Sequence, residues 1–424
     1  MAGKPHCRRA RTGYSWDAAR IFHIPAKAIE HWLSCSSRAR NSNRVNCSSE
    51  GRKTMKLAVY NVENLFDRAK AMNLDSWEEG RPVLEKFATL NGLLGQVTYA
   101  PADKTRMVEL MRDLGLEKSD TGPFVILRRN RGGLLRRPKD GGVVIEADGR
   151  ADWVGSLELR DEPVNEHAMR NTARVMMDLE ADVLGVIEAE SRPVLSAFNT
   201  EILPALGGTP FRHVMLIDGN DERGIDVGLM SRTGYPIGTM CSRVDDQLPN
   251  GQPVFSRDCP QFEVTTPNGE TLLVLVNHLK SKGYGGKAAS DAKRKAQAER
   301  IAEIYRGLID NGARYVAIIG DFNDTPSSAP LAPLLHDTDL ADIFTHPAFD
   351  DGGYPGTYGL CNAANKIDYI LLSPSLFERV RSGGVYRTGM WPGSRPKRWE
   401  AYPEVSRAAD AGSDHAALWA DIDL

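Results

Sequence analysis

The chain has 424 residues with 41% hydrophobic and 26% charged content, which is typical of a globular protein with enough chain for a large core. Its apolar runs are too short to cross a bilayer, so we expect no membrane span. The net charge of −3 is uneven, because residues 1–54 carry 11 Lys and Arg against three acids, a net +8, which leaves −11 for the rest. An acidic body does not attract a polyanion by its overall field, so nucleic-acid binding would need a local basic patch.

The first 54 residues favour a basic, disordered leader, because they lack periodicity and end in a tract rich in Ser, Asn and Arg. Met55 directly precedes a core strand, so we expect Met55 to be the true start and residues 55–424 to form one domain. No signal peptide is recognisable, and the six cysteines are scattered without metal-ligand spacing. We therefore expect a cytoplasmic monomer with free thiols.

A first core strand, Lys56–Tyr60, ends in the polar run Asn61-Val62-Glu63. The residues from about 68 to 165 are predicted to be an insertion, with helices over Trp77–Leu94 and Lys104–Leu114. We expect this insertion to interrupt the domain directly after its first strand.

A strand at Phe124–Leu127 is followed in the insertion by a basic, Gly-rich loop from Arg128 to Lys139. Two interpretations of this loop stay open. It is either a solvated surface loop or a clamp on a phosphate backbone, and the clamp would use Arg128, Arg129, Arg136 and Arg137.

The later core strands also end in polar residues. Val183–Ile187 is followed by Glu188, Leu272–Val276 by Asn277-His278, and Tyr315–Ile319 by Gly320 and Asp321, with Asn323 close behind. Lys366–Leu372 contains Asp368, and Asp414-His415 precedes the last strand, Ala416–Ile422. Helices are predicted at Glu166–Glu180 and Ala289–Leu308. Phe211–Ile217 and Ile225–Met230 are predicted to be paired strands. Arg223 in the loop between them and Asp226 in the second strand fit either a surface Arg with a strand-edge acid or groups that contact and support a substrate.

The polar residues at these strand ends are carboxylates, amides and imidazoles. Oxygen ligands suit a hard cation such as Mg²⁺, with Mn²⁺ or Ca²⁺ as alternatives. Two histidines suit proton transfer near neutral pH, and a buried carboxylate can fix the tautomer of one of them. Together these groups predict a site that hydrolyses a phosphate ester.

Six motifs at these strand ends resemble, in their order, those of the endonuclease/exonuclease/phosphatase superfamily, the family of deoxyribonuclease I. They are Asn61-Val62-Glu63, Val186-Ile187-Glu188, Asn277-His278, Gly320-Asp321-Phe322-Asn323, Ile367-Asp368-Tyr369 and Ser413-Asp414-His415. The run Asn-His-Leu-Lys-Ser-Lys at 277–282 is similar to the bacterial nuclease-like branch. The resemblance implies an α/β fold, a four-layer αββα sandwich of two mainly antiparallel sheets flanked by helices.

The resemblance also implies a role for each strand-end residue. Metal binding would fall to Glu188, helped by Asn61 and Glu63, with Asp414 near the metal or phosphate. His415, oriented by Asp368, would take the proton from the attacking water. His278 and Asn323 would hydrogen-bond the phosphate, and Asp321 would orient the nucleophile or assist the leaving group.

The leading prediction is therefore a Mg²⁺-dependent phosphodiester hydrolase, a nuclease with DNA as substrate. The same chemistry on a small or lipid-linked phosphate is the first alternative, because substrate choice in one fold lies in its loops. A catalytically inactive binding scaffold is an alternative of another class, and the intact set of acidic, His and Asn residues argues against it.

Overall fold

The computed structural model describes residues 54–65, 70–72, 77–139, 141–160, 165–221, 224–282, 286–394 and 396–424. The predicted leader lies outside these residues, apart from Thr54 at its end. Among the described residues, no helix combines the length and the apolar character that crossing a membrane requires.

The first sheet has seven strands in the order β14-β16-β17-β1-β6-β8-β7. Most neighbours are antiparallel, while β1 and β6 run parallel and so do β14 and β16. The strands are β1 Met55–Leu65, β6 Val183–Ala189, β7 His213–Leu216, β8 Asp226–Ser231, β14 Phe349–Asp350, β16 Val380–Tyr386 and β17 Ala417–Ile422.

The second sheet has six strands in the order β13-β15-β12-β11-β10-β9, and only β11 and β12 run parallel within it. Its central strand β12 is buried along its whole length, as its apolar sequence predicts. The strands are β9 Ile237–Cys241, β10 Gln261–Thr265, β11 Thr271–His278, β12 Tyr315–Asp321, β13 Ala341–Asp342 and β15 Asp368–Leu372.

The described residues contain eight α-helices, of which some pack on the outer faces of the two sheets and two belong to a segment that follows β1. They are α1 Trp77–Leu94, α2 Pro101–Asp113, α3 Glu166–Asp178, α4 Arg192–Ala197, α5 Leu203–Ala205, α6 Lys287–Asp310, α7 Ala332–Leu335 and α8 Pro374–Phe377. A π-helical turn, Phe198–Ile202, joins α4 to α5, and 3₁₀ turns lie at Lys70–Met72, Arg150–Asp152, Ala329–Leu331, Ile343–Thr345, Ala363–Asn365 and Ala408–Asp410.

Three apolar clusters account for the four layers. One lies between the sheets and joins residues such as Val59 of the first sheet to Ile319 of the second. A second packs α3 on the first sheet, and a third packs α6 on the second sheet. The predicted α/β sandwich, with two mainly antiparallel sheets between helical layers, is confirmed.

Residues 77–160 have a core of their own, built from α1, α2 and the strands β2 Val125–Gly132, β3 Leu135–Arg136, β4 Val144–Ile145 and β5 Trp153–Leu159. We call this segment the insert. Most of the predicted basic loop is strand here, because β2 continues to Gly132 by pairing with β5 and Leu135–Arg136 pairs with β4. Within β2, the side chain of Arg128 is paired with Glu158 of the neighbouring strand β5.

Candidate active site

Polar strand ends of both sheets meet at one edge of the sandwich, which we call the catalytic edge. Since β1 runs parallel to β6, and β11 to β12, their carboxyl ends lie side by side. β15 and β17 run antiparallel to these neighbours, so they begin where the others end. The structure thereby brings together Asn61, Glu63, Glu188, His278, Asp321, Asn323, Asp368, Asp414 and His415.

Unusual backbone conformations concentrate at this edge. Glu63, Glu188 and Asn323 have φ angles of 41°, 66° and 55°. These values lie in the left-handed region, which residues other than glycine rarely adopt. The pairing of β6 shifts register on both sides around Glu188, as β-bulges do beside functional sites. Gly320 is required by close approach, because a Cβ there would lie 1.8 Å from the Asn277 carbonyl oxygen. Strain held at several neighbouring residues indicates that this edge is shaped for function.

An acidic cluster joins the two sheets. His278 Nε2 lies 3.5 Å from Glu188 Oε1 and 3.6 Å from Asp321 Oδ2, and one ligand atom from each of the three lies within 4.8 Å of the others. Asn61 Nδ2 donates to Asp321 Oδ2 at 3.3 Å. Burial raises the pKa of Asp321 to about 7, with the Asp368 and Glu188 charges adding to it and His415 opposing it. Carboxylate, amide and imidazole donors at this spacing fit a divalent cation.

His415 and Asp368 form a buried pair. His415 Nδ1 lies 2.9 Å and 3.1 Å from the two carboxylate oxygens of Asp368, so this nitrogen carries the proton and Nε2 faces Asn61 and Asp414. Burial alone would lower the pKa of His415, but attraction to Asp368, Asp414 and Asp321 outweighs it and raises that pKa well above its usual value. This is the geometry of an imidazole held in one tautomer for proton transfer.

Thr357 holds Asp368 in place and was missed by sequence reasoning. Its hydroxyl donates to Asp368 Oδ2 at 2.6 Å and accepts from the backbone N–H groups of Ile367 and Asp368 at 3.1 Å each. Thr357 is fully buried. Nothing in the local sequence signals this contact, because Thr357 belongs to a turn ten residues before Ile367.

Glu63 and Asp414 lie on the first-sheet side of the site. Glu63 Oε2 accepts from the Asp414 backbone N–H at 2.7 Å. Burial, helped by the charge of Asp414, raises the pKa of Glu63 to about 8. Burial likewise raises the pKa of Asp414, although His415, whose Nε2 is 3.7 Å away, opposes it. Such pKa values mean that the acids lack enough positive charge around them, as expected where a cation would bind.

Asn323 is held against the acidic cluster. Its Nδ2 donates to Asp321 Oδ2 and to the Leu279 carbonyl, both at 3.2 Å, and its backbone N–H donates to Asp321 Oδ1 at 2.8 Å. The turns that follow β11 and β12 are thereby joined beside the cluster.

A fully buried arginine in α6, Arg294, holds the same two turns from behind. Its guanidinium donates to Asp324 at 3.0 Å, to the Lys280 carbonyl at 2.6 Å and to Asp291 at 2.7 Å. Sequence reasoning missed Arg294. Its place in the helical row of Ala298, Ile301 and Tyr305 is the signal that it faces the interior.

The weaker substrate predictions have mixed outcomes. Asp226 lies at the start of β8, opposite Ala189, and accepts from the Gly219 N–H at 2.7 Å, so it orders the loop before β8. Burial raises its pKa to about 6. Arg223 lies outside the described residues.

Each of the four arginines of the predicted clamp pairs with a carboxylate inside the insert. Arg128 pairs with Glu158, and Arg136 with Glu146. Arg129 and Arg137 share Asp120, each at 2.7 Å. Their charge is therefore largely offset locally.

A model of the Endonuclease/Exonuclease/phosphatase family matches residues 159–383, more than half of the chain. The chain belongs to this family. It is accordingly a hydrolase that acts on phosphate esters. The match includes the ends of β6, β11 and β12 and the start of β15, whereas Asn61, Glu63, Asp414 and His415 lie outside it.

Several solved structures are similar to this family member. An endonuclease/exonuclease/phosphatase family protein from Bacteroides thetaiotaomicron is 19% identical, with a TM-score of 0.44 over 60% of this chain and 89% of that one. The mannosyl-6-phosphatase Bt3783 of the same organism is 19% identical, with a TM-score of 0.43 over 60% and 90%. Sphingomyelinase C from Streptomyces griseocarneus is 17% identical, with a TM-score of 0.42 over 60% and 92%. No curated protein matches the sequence.

Proposed function

We propose that this hydrolase is a Mg²⁺-dependent phosphodiesterase that cleaves DNA. The observation that carries the proposal is the contact across the two sheets between the cluster of Glu188, His278 and Asp321 and the pair of His415 and Asp368. A site for water attack on phosphorus needs a place for a cation beside a group that accepts a proton, and these residues supply both.

The proposed chemistry assigns one task to each part of the site. Glu188 and Asp321 would hold the cation, with Asn61 beside them and Glu63 and Asp414 on the far side of the same cleft. When bound, Mg²⁺ offsets the negative charge of these acids and polarises a phosphate oxygen.

His415 would accept the proton of the attacking water at Nε2, because its Nδ1 is engaged by Asp368. A cation held by the neighbouring acids would offset the charges that raise the pKa of His415 and so favour an unprotonated Nε2. His278 and Asn323 would donate hydrogen bonds to the phosphate oxygens as negative charge builds on them.

The charge of the site favours a diester over a monoester. Three cations on the elements that adjoin the site are already paired with acids, namely Lys282, Arg294 and Arg257. Lys282 and Arg294 contact Asp324 at 2.6 Å and 2.9 Å, and Arg257 contacts Asp221 at 2.7 Å. A phosphodiester carries one negative charge and a monoester close to two at neutral pH, so a site whose neighbouring cations are already paired suits a diester better.

The position of the insert supports a polymeric substrate. The chain leaves β1 at Leu65, two residues after Glu63, and returns to α3, whose Thr172 donates to the Gly412 carbonyl just before Ser413. The chain thus leaves the catalytic edge shortly before the insert begins, and it contacts the turn before Ser413 shortly after the insert ends. Arg128 and Arg136 are more than half exposed, so their carboxylate partners can be exchanged for backbone phosphates of DNA.

The test incubates the purified chain with supercoiled plasmid DNA, with RNA and with inositol phosphates, in Mg²⁺ or in EDTA. We expect Mg²⁺-dependent nicking of the plasmid that EDTA abolishes and that Asp368→Asn reduces strongly. Hydrolysis of inositol phosphates without plasmid nicking would overturn the choice of DNA.

The clamp is tested separately with the quadruple variant Arg128→Ala, Arg129→Ala, Arg136→Ala and Arg137→Ala. Its KM for plasmid should rise and its salt dependence should weaken, while hydrolysis of a small diester such as bis(p-nitrophenyl) phosphate stays unchanged. Unaltered plasmid cleavage at moderate salt would disprove the clamp.

A further inference from the structure

Exposed apolar surface in the described part of the sandwich lies beside the catalytic histidine. The large hydrophobic side chains that are exposed are Tyr358 and Leu360, each 38% exposed, and the three others, Val97, Val144 and Val154, belong to the insert. Scattered exposed apolar residues are ordinary, but an aromatic ring that touches a catalytic group and also faces solvent is placed where substrate passes.

The ring of Tyr358 packs on the ring of His415. Their centroids are 4.9 Å apart at an interplanar angle of 53°. The two backbones form a bridge, and the neighbouring Gly359 N–H donates to the Asp414 carbonyl at 2.8 Å. Part of the phenol ring is therefore used by the histidine, while the side chain also keeps surface exposed to solvent beside it.

The turn that carries Tyr358 is rigid. The Tyr358 N–H donates to the Asn365 carbonyl at 3.1 Å, and its carbonyl accepts from Cys361 at 2.9 Å. Arg398 donates to the Leu360 carbonyl at 2.7 Å and to Asn362 Oδ1 at 2.8 Å, which fixes the tip of the turn. A flat ring held by its backbone loses little conformational entropy when a second flat ring covers it.

The ring of Tyr358 offers a flat apolar surface, because only part of it packs on His415 and 38% of the residue is exposed. The part of the side chain that remains for a substrate is its π face. Stacking on such a face is how proteins hold bases of single-stranded nucleic acid without reading their sequence.

We propose that Tyr358 is a specificity-determining residue that stacks on a nucleobase next to the scissile phosphate. This inference rests on the proposed function, since it requires a nucleic-acid diester in the cleft. It narrows the substrate to DNA in which the base beside the scissile phosphate is unpaired, such as single-stranded or locally opened DNA.

The experiment compares two single-stranded oligodeoxynucleotides that each contain one cleavable phosphodiester among methylphosphonates. One carries normal bases on both sides of that phosphodiester, and the other carries hydrogen in place of both bases. Steady-state kinetics in Mg²⁺ are measured for the wild-type chain and for Tyr358→Phe, Tyr358→Trp and Tyr358→Leu. The fold of each variant is checked by circular dichroism and thermal unfolding.

We expect the wild-type chain to prefer the base-bearing strand by about tenfold in kcat/KM, through KM. Tyr358→Phe should keep this ratio, Tyr358→Trp should keep or increase it, and Tyr358→Leu should reduce it to about one. Where Tyr358→Leu does not fold, the ratios of the Phe and Trp variants decide.

The inference is overturned by a wild-type ratio near one, by a ratio that survives in Tyr358→Leu, or by loss of the ratio in Tyr358→Phe, which would assign the effect to the hydroxyl. Failure of the wild-type chain to cleave either strand would instead overturn the proposed function, and this inference with it.

Discussion

The catalytic edge and the insert use the same residue types in opposite ways. In the insert, Arg128 meets Glu158 and Arg136 meets Glu146, and all four side chains remain 40–57% exposed. At the edge, Asp321 is buried and lies beside Asn61, His278 and His415. Each charged side chain of these pairs in the insert has an oppositely charged neighbour and is in contact with water. At the catalytic edge, several carboxylates share the same few neighbouring groups, which cannot neutralise all of them.

Carboxyl pKa values record this difference. In the insert, Asp120 is also desolvated, but Arg129 and Arg137 more than offset that effect and lower its pKa. At the edge, burial dominates and raises the pKa values of Glu63, Asp226 and Asp321. The comparison teaches that the sandwich leaves several acids at the catalytic edge without enough positive charge around them. This arrangement favours the binding of a cation and lowers the stability of the fold.

The strongest way to break this comparison is His415→Ala. Loss of the proton acceptor should lower kcat by about 10²–10⁴-fold while the fold is retained. The measurement is the rate of hydrolysis of the diester that the wild-type chain cleaves. His336→Ala, at an exposed position, is the control and should behave as wild type. Unchanged activity in His415→Ala would place the chemistry elsewhere.

Glu188→Gln tests whether the edge holds a cation, with Glu158→Gln of the insert as its matched control. Removing one carboxylate charge from the cluster should weaken apparent Mg²⁺ affinity by at least about 10–100-fold. The readouts are a Mg²⁺ titration of activity and the Mg²⁺-dependent rise in Tm. Equal Mg²⁺ affinity in both variants would contradict the cation site.

Arg294→Met compares a buried arginine with an exposed one. It leaves Asp324 and the Lys280 carbonyl without their buried donor, so the free energy of unfolding should fall by about 3–5 kcal/mol in urea titrations. Arg136→Met in the insert should cost less than about 1 kcal/mol, because its pair with Glu146 is exposed. Similar losses in both would mean that burial does not distinguish the two regions.

The smallest expected effect is a difference in pH dependence between Asp226→Asn and Asp120→Asn. Asp226 has a folded pKa of about 6, above the usual value, so the stability it contributes is present at low pH and is lost as pH rises through 6. Asp226→Asn should therefore gain about 1 kcal/mol relative to wild type between acidic and neutral pH.

Asp120 has the opposite sign, because its pKa is lowered and its contribution is present at neutral pH and lost on acidification. Asp120→Asn should lose stability relative to wild type at neutral pH and approach it in acid. Urea unfolding at several pH values measures both, and slopes of the same sign would refute the contrast.

Much of the fold follows from strand periodicity and from polar residues directly after apolar runs. This pattern predicted β6, β11, β12 and β15 near their observed bounds, and with them most of the residues that meet at the catalytic edge. The strands β9, β10 and β16 escaped prediction, because β9 and β16 are only partly apolar and β10 alternates over just five residues.

The residues that hold the site residues in position could not be predicted from the sequence, and the reason is different. Thr357 and Arg294 act through hydrogen bonds to residues distant in sequence, among them Asp368 and Asp324, which are 11 and 30 positions away. Such contacts depend on where turns lie in space, which no local pattern records. The ion pairs of the insert arginines likewise depend on strand pairing, since Arg128 meets Glu158 across β2 and β5, and Arg136 meets Glu146 beside the pairing of β3 with β4.

The insert enters and leaves through a narrow neck, where the Lys70 N–H donates to the Arg160 carbonyl at 2.6 Å. Because Lys70 and Arg160 are so close, a short turn could join them directly. The entropy cost of closing a loop also rises only slowly with the number of residues in it. A gene could therefore gain, exchange or lose this whole unit in one in-frame event, leaving the hydrolytic machinery intact while altering what reaches it.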